Sequence, residues 1–344
     1  MAIIDDRFYK PIMNAFMRWI MRSAFAKRNV HFEDGLYVGL CGTSSPLPDV
    51  NRAGSCVAVL AGERFFIVDA GEGSTRNVLL MNLPIRKADA ILLTHFHSDH
   101  IADLGEMMVQ RWACGSNKTP IDVIGPTGVE RVVQGFNLAY QLDAGYRVAH
   151  HDPETMPPTG AGGIAKPFEL SAEIDASTVV FDEDGVKITV FKVDHRPVVP
   201  AVGYRFDYKN RSIAISGDTV YSESLLKHAK GVDVLFHEAL NASMVKMMNE
   251  YAGLAPSPSL GRITHDIPSY HSTPEDAAKI AAAAGAKNLI YYHIIPPLPS
   301  PILKKLFIGD AKKYYEGPIT MGEDGMMVFL PASSGLIEIK NILK

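Results

Sequence analysis

A chain of 344 residues with 47% hydrophobic content has enough apolar material for one large core or two small ones. Lys and Arg number 34 against 38 Asp and Glu, a net charge of −4, so the basic footprint of a nucleic-acid binder is missing. Cys41, Cys56 and Cys114 are odd in number and lack C-x-x-C spacing, which argues against a disulfide framework and fits a reducing, cytoplasmic setting.

Residues 1–33 are predicted to form a separate amphipathic helix. Between Phe8 and Arg28, Phe8, Ile12, Phe16, Trp19 and Ile20 recur at helical spacing, with Arg18 and Arg22 on another face. Arginines interrupt every apolar run, so the segment is not expected to span a bilayer, and it has neither the core nor the cleavage site of a signal peptide. Its stripe is read first as a packing surface, on the body of the protein or on a second subunit of a homodimer. Peripheral membrane contact is the alternative.

Residues 34–344 are predicted to form the second domain, of alternating short strands and helices. Leu36 to Cys41 reads as a strand, Ser55 to Leu60 and Arg64 to Asp69 as a hairpin, and Ala90 to Thr94 as a buried strand. A helix from about Ile101 to Ala113, a strand at Ile121 to Ile124 and a helix from Gly128 to Leu142 follow. Ala144 to Asp184, rich in Pro and Gly, is expected to be a long surface excursion. Strands resume at Val186 to Val193, Ala201 to Tyr208 and Arg211 to Ser216, the last two joined at Lys209-Asn210. A helix near Ser222 to Ala229 and a strand at Asp233 to Phe236 precede Thr273-Pro274-Glu275-Asp276, a capped helix start. That helix feeds the strand Asn288 to Tyr292, and a hairpin is expected over Ile319 to Leu330. Two strand-rich halves with helices suggest an α/β sandwich.

Four potential metal ligands fall within six residues, His95-Phe96-His97-Ser98-Asp99-His100, directly after a buried strand. Several polar groups at such a place are hard to satisfy without a cation. His195, Asp218 and His293 follow three other strands, so four strand ends point to one cleft. A lone histidine is more often an ordinary core or surface residue, and His31, His150, His151, His228, His237 and His265 are left there. No cysteine is placed among the ligands.

"THFHSDH" matches the H-x-H-x-D-H signature of the metallo-β-lactamase superfamily. With "LCGTSSPLPDVNRAGS", "VDAGEGSTRN", "VDHRPVVPAVGYRF", "SGDT", "HEAL", "YHSTPEDAA" and "LIYYHI", the chain resembles the ribonuclease Z branch and its arylsulfatase-like and phosphodiesterase-like relatives over roughly residues 36 to 330. The resemblance implies a four-layer αββα sandwich, here with an extra N-terminal helix and lid-like inserts, and a metal-dependent hydrolase. It implies two divalent ions, zinc first, with manganese or iron as alternatives. His95, His97 and His195 would bind one and Asp99, His100 and His293 the other, with Asp218 bridging. Asp69 would support the ligand loop. Asp99 and His271 would be catalytic, Asp99 on the attacking water and His271 as a non-ligand acid.

The ribonuclease Z proteins carry a long arm after their "GYR" strand, and here Gly203-Tyr204-Arg205 reaches Asp218 without one. The expected substrate is therefore a small phosphodiester or sulfate ester. Alternatives are a lactone or other acyl ester, transfer RNA 3′ processing, which the missing arm and acidic charge disfavour, and a metal-binding scaffold without turnover. Two further inserts, 242–268 with Met244, Met247, Met248 and Tyr251, and 296–307 with Ile302, Leu303, Leu306 and Phe307, are expected to form an apolar rim over the cleft, with a dimer interface or core packing as the alternative.

Overall fold

The structure, a computed structural model, describes residues 6–26 and 32–343; His31, Lys27 and Arg28 lie outside the described residues. It divides into two compact units, Met1–Glu33 and Asp34–Lys344. Among the described residues the first holds one helix, α1 (Asp6–Ala26). Ile12, Phe16 and Trp19 on it are exposed, at 69%, 52% and 63%. No helix among the described residues is long and apolar enough to cross a membrane.

The second unit is built on two sheets. One comprises β1 (Gly35–Gly42), β2 (Cys56–Ala61), β3 (Arg64–Val68), β4 (Ala90–Leu92), β5 (Ile121–Pro126), β6 (Gly163–Phe168), β14 (Met326–Pro331) and β15 (Glu338–Asn341), in the order β15-β14-β1-β2-β3-β4-β5-β6. The other comprises β7 (Ser177–Glu183), β8 (Val186–His195), β9 (Val198–Tyr208), β10 (Arg211–Ile215), β11 (Val234–Leu240), β12 (Asn288–Ile295) and β13 (Ile319–Met321), in the order β13-β12-β11-β10-β9-β8-β7. Alternation sends Leu36, Val38 and Leu40 of β1 inward, where they meet Val186, Tyr204, Phe206 and Phe236 of the facing sheet in one core.

Helices cover both outer faces, giving four layers. On the first sheet lie α2 (Ser74–Leu80), α4 (Leu104–Gly115) and α5 (Val129–Thr155), with the single turn α3 (Ser98–Ile101) ahead of α4. On the second lie α6 (Glu223–His228) and α9 (Pro274–Ala284). Pro274 occupies the first position of α9, and the Thr273 hydroxyl accepts the amide of Asp276 at 3.1 Å. The small residues Ala277, Ala278 and Ala281 let α9 sit close on the sheet among Leu235, Leu289 and Tyr291. The insert after β11 folds as α7 (Ala242–Tyr251) and α8 (Leu260–Asp266), and the one after β12 as α10 (Pro301–Phe307).

Two sequence expectations are corrected. Ala144 to Asp184 is not a loop: α5 runs on to Thr155 with a break at Asp152, and β6 and β7 follow. The added length of α5 is mostly polar or exposed, so it carries little apolar period, and its Asp143–Arg147 ion pair at 2.7 Å is a surface feature. β6 and β7 are edge strands, each held by one neighbour, β5 and β8. The expected hairpin over Ile319 to Leu330 is also absent, since β13 pairs in parallel with β12 while β14 pairs antiparallel with β1 in the other sheet. Between them Gly322 donates to Tyr291 O at 2.7 Å and Gly325 to Leu40 O at 2.9 Å, so the segment crosses from sheet to sheet.

Candidate metal centre

Ends of strands from both sheets meet at one edge, and backbone irregularities aim their side chains. β8 shifts register between Val193 and His195, so that Asp194 is skipped and His195 pairs with Val198 at the strand end. β12 shifts opposite Glu238 and Ala239, leaving His293 as the extra residue, with φ of 46°. A bulge of this kind re-aims a side chain, and a non-glycine residue at positive φ costs on the order of 1–3 kcal/mol, so the surrounding pairing must hold it there. Asp69, at the end of β3, also has positive φ, 60°. It receives the Thr94 amide at 2.8 Å on one carboxylate oxygen and His100 Nδ1 at 2.8 Å on the other. That fixes the His100 ring and leaves its Nε2 for the cleft.

The side chains converge on Asp218, which follows β10. Its Oδ2 lies 3.3 Å from His100 Nε2, 3.4 Å from His293 Nε2, and 3.8 Å from both His95 Nε2 and His195 Nε2. His97 Nδ1 is 2.9 Å from His95 Nε2 and 3.4 Å from His195 Nε2. Asp99 Oδ2 is 3.1 Å from His293 Nε2 and 3.5 Å from His100 Nε2. Two groups able to hold a metal ion result, His95 with His97, His195 and Asp218, and Asp99 with His100 and His293. Asp218 and His293 form a third group with His271. Of these residues only His97 is exposed, on the open side of the site.

The donor chemistry fits divalent cations. His100 Nε2 and Asp218 Oδ1 are buried without a hydrogen-bond partner, and a cation would satisfy both. Burial holds the imidazoles of His95, His97 and His195 below their usual value, hence neutral, with a lone pair to offer. Burial acts the same way on His100 and His293, but the carboxylates of Asp218 and Asp99 outweigh it and both are shifted upward. Protons there would compete with metal.

His271 sits against this cluster, its ring centroid 5.1 Å from that of His195 and 5.5 Å from that of His293. Its Nδ1 donates to Glu238 Oε1 at 3.0 Å, an oxygen that also accepts the amides of Ser272 at 3.0 Å and Thr219 at 3.2 Å. Glu238 is fully buried, and nothing in the sequence sets it apart from its neighbour His237 as a site residue. The only available signal was strand alternation, which sends adjacent residues of β11 to opposite faces. His237 instead has Nδ1 bonded to the Glu238 carbonyl at 2.7 Å and joins no metal-binding group. The other set-aside histidines also lie apart: His228 donates to Ser224 O at 2.8 Å, and His265 pairs with Asp266 on the surface. Tyr270, also missed, accepts His195 Nδ1 at its carbonyl at 2.8 Å and places its ring 5.1 Å from that of His271.

A cleft of about 700 Å³ opens beside Asp99, lined in part by Ser44, Ser45, Arg52, Arg76 and Ser98. Of the expected apolar rim, Met247, Tyr251, Ile302 and Leu306 are exposed. Phe307 is fully buried against Tyr291 and belongs to the outer core.

Residues 64–294 match the family described as a beta-lactamase superfamily domain. Curated relatives include a ribonuclease Z from Mycolicibacterium gilvum (strain PYR-GCK), 38% identical over 263 residues, covering 76% of this chain and 85% of that protein. Another, from Mycobacterium avium (strain 104), is 34% identical over 299 residues, covering 86% of this chain and 99% of that protein. Among solved structures, a metallo-beta-lactamase fold protein from Bacillus subtilis aligns with TM-score 0.60 at 21% identity, over 89% of this chain and 100% of that one. The short form of human tRNase Z aligns with TM-score 0.59 at 20% identity, over 86% and 99%. A diphosphatase of the PhnP family aligns with TM-score 0.56 at 18% identity, over 85% and 96%. At these identities the structural matches establish the fold alone.

Proposed function

The chain belongs to the beta-lactamase superfamily of metal-dependent hydrolases, and on that premise we propose that it hydrolyses phosphodiesters in the cytoplasm. The observation that carries this reading is the position of Asp218, one carboxylate oxygen within 3.3 to 3.8 Å of ring nitrogens from both ligand groups. In this reading His95, His97 and His195 hold one ion, Asp99, His100 and His293 the other, and Asp218 both. Imidazole and carboxylate without thiolate suit zinc first, then manganese or iron. When bound, such ions would lower the pKa of water toward neutrality and polarise the phosphoryl oxygens.

The chain's own residues supply the rest. Asp99 orients the attacking water; its Oδ2 lies 3.1 Å from His293 Nε2, in the group that would share one ion. Glu238 accepts from His271 Nδ1 and orients the ring, so that as the imidazolium His271 can pass its Nε2 proton to the departing oxygen and be left neutral. Arg76, exposed in the adjoining cleft, offers a cation to a phosphate ester, whereas Arg52 is already committed to Thr43, the Gly322 carbonyl and Asp49.

Two substrate sizes each draw support. The absent arm favours a small ester: β9 and β10 are joined directly at Lys209-Asn210. RNA processing, disfavoured from sequence, is favoured by relatives named ribonuclease Z at 34 to 38% identity. No observation favours sulfate or acyl esters. The metal-loaded protein should be offered bis(p-nitrophenyl) phosphate, p-nitrophenyl sulfate, an aryl lactone and a 3′-extended transfer RNA transcript. Turnover of one of the two phosphodiesters on the order of 100-fold above the sulfate and lactone is expected. A sulfate or lactone rate equal to the better phosphodiester rate would falsify the reading, and a single cut in the transcript would select RNA.

A further inference from the structure

We propose that α1 docks the protein on an anionic lipid surface, lying in the plane of the interface with its apolar face down. Ile12, Phe16, Trp19 and Ile20 stand three, seven, ten and eleven residues after Tyr9, which places all five on one side of a helix. All are exposed, from 36% for Ile20 to 69% for Ile12, and the rings of Phe16 and Trp19 stack at 6.0 Å between centroids. The opposite side carries Asn14, Arg18 and Arg22, each four residues from the next. A helix apolar on one side and cationic on the other cannot cross a bilayer, and it gains most by burying half its circumference among lipid chains. Trp and Tyr are suited to that depth because one end of each ring system is polar.

Charge selects the lipid surface over a second copy of the helix. From Arg7 to Phe32 the sequence contains no Asp or Glu, while Arg7, Lys10, Arg18, Arg22, Lys27 and Arg28 are all cationic. A paired helix would supply the apolar surface but meet these cations with its own. An anionic headgroup layer supplies both the apolar boundary and the opposite charge. The total charge of −4 means that the remainder of the chain is acidic, so attraction to an anionic surface is concentrated in this segment.

The full-length protein carries its own probe. Trp19 is 63% exposed, and the other tryptophan, Trp112, is 1% exposed in the core, so a change in emission on docking reports Trp19. Vesicles of phosphatidylcholine alone and of equal parts phosphatidylcholine and phosphatidylglycerol are added to the protein. Sedimentation with the anionic vesicles only, weakening as salt rises, and a blue shift of Trp19 emission are expected. Arg18→Gln with Arg22→Gln should weaken vesicle affinity by about 25-fold, roughly fivefold per charge. Phe16→Ser with Trp19→Ser should abolish sedimentation. The proposal is overturned if the parent protein does not sediment with anionic vesicles, or if the arginine pair can be removed without effect. It is equally overturned if sedimentation equilibrium shows a dimer that shields Trp19 while vesicles leave its emission unchanged.

Discussion

The metal centre and α1 break the usual arrangement of a protein in opposite directions. At the centre, His95, His100, His293, Asp218 and Glu238 are polar and at least 98% buried. Along α1, Ile12, Phe16 and Trp19 are apolar and more than half exposed. Buried polar groups and contiguous exposed apolar ones are the two informative exceptions to hydrophobic sorting. The first kind marks a place completed by a small ion, because desolvated lone pairs need a cation. The second marks a surface completed by something large. Substitutions should therefore act through chemistry and stability at the centre, and through association alone on the helix.

The largest effect is expected at Asp218. Asp218→Ala removes the oxygen shared by both groups, and activity should fall on the order of 10,000-fold. Elemental analysis should show metal dropping from about two ions per chain to one or fewer. His271→Ala tests the division of labour within the site: kcat should fall roughly 100- to 1,000-fold while metal content stays unchanged. Metal loss in that variant would make His271 a ligand, as the third possible group allows.

Asp233 offers a buried charge without chemistry. It accepts Arg211 Nε at 3.0 Å, the Ser212 amide at 3.0 Å and Lys287 Nζ at 2.7 Å. Burial pushes its carboxyl up, but these partners outweigh burial and hold it below the usual value of 3.8. A carboxyl lowered on folding stabilises the protein fully above its unfolded value, and that contribution is lost as pH falls through the lower folded value. Asp233→Asn should thus cost about 3 kcal/mol at neutral pH in urea unfolding, and the gap from the parent should close in acid below the usual carboxylate range. A gap independent of pH would show that shape rather than charge is the cause. The smallest effect is expected on the helix, where Trp19→Ser should leave the thermal unfolding of the protein within about 0.5 kcal/mol of the parent. A larger loss would mean that Trp19 packs within the fold.

Legibility followed locality. The strands of the inner core could be read because β8 alternates over one buried face and β1 is a short run buried almost throughout. The extended α5 and the edge strands β6 and β7 could not, because half-exposed elements carry little apolar pattern. The false hairpin at β13 and β14 has a related cause. Two short strands near each other in sequence look like a pair, and only the packing of the sheets shows that each belongs to a different one. Glu238 was hidden for a third reason: its value lies in facing His271, and neither residue signals that alone.

By itself the amino-acid order determined the cluster from His95 to His100, since six consecutive residues after a buried strand must share a neighbourhood. It also determined the amphipathic character of α1, which depends on spacing along a single helix. The packing of the two sheets decided what Asp99 and His293, 194 positions apart, do together at 3.1 Å, and which carboxylate both ligand groups share. Distances of that size between remote residues arise from bulges and register in separate strands, and those are fixed by the energy of the whole core.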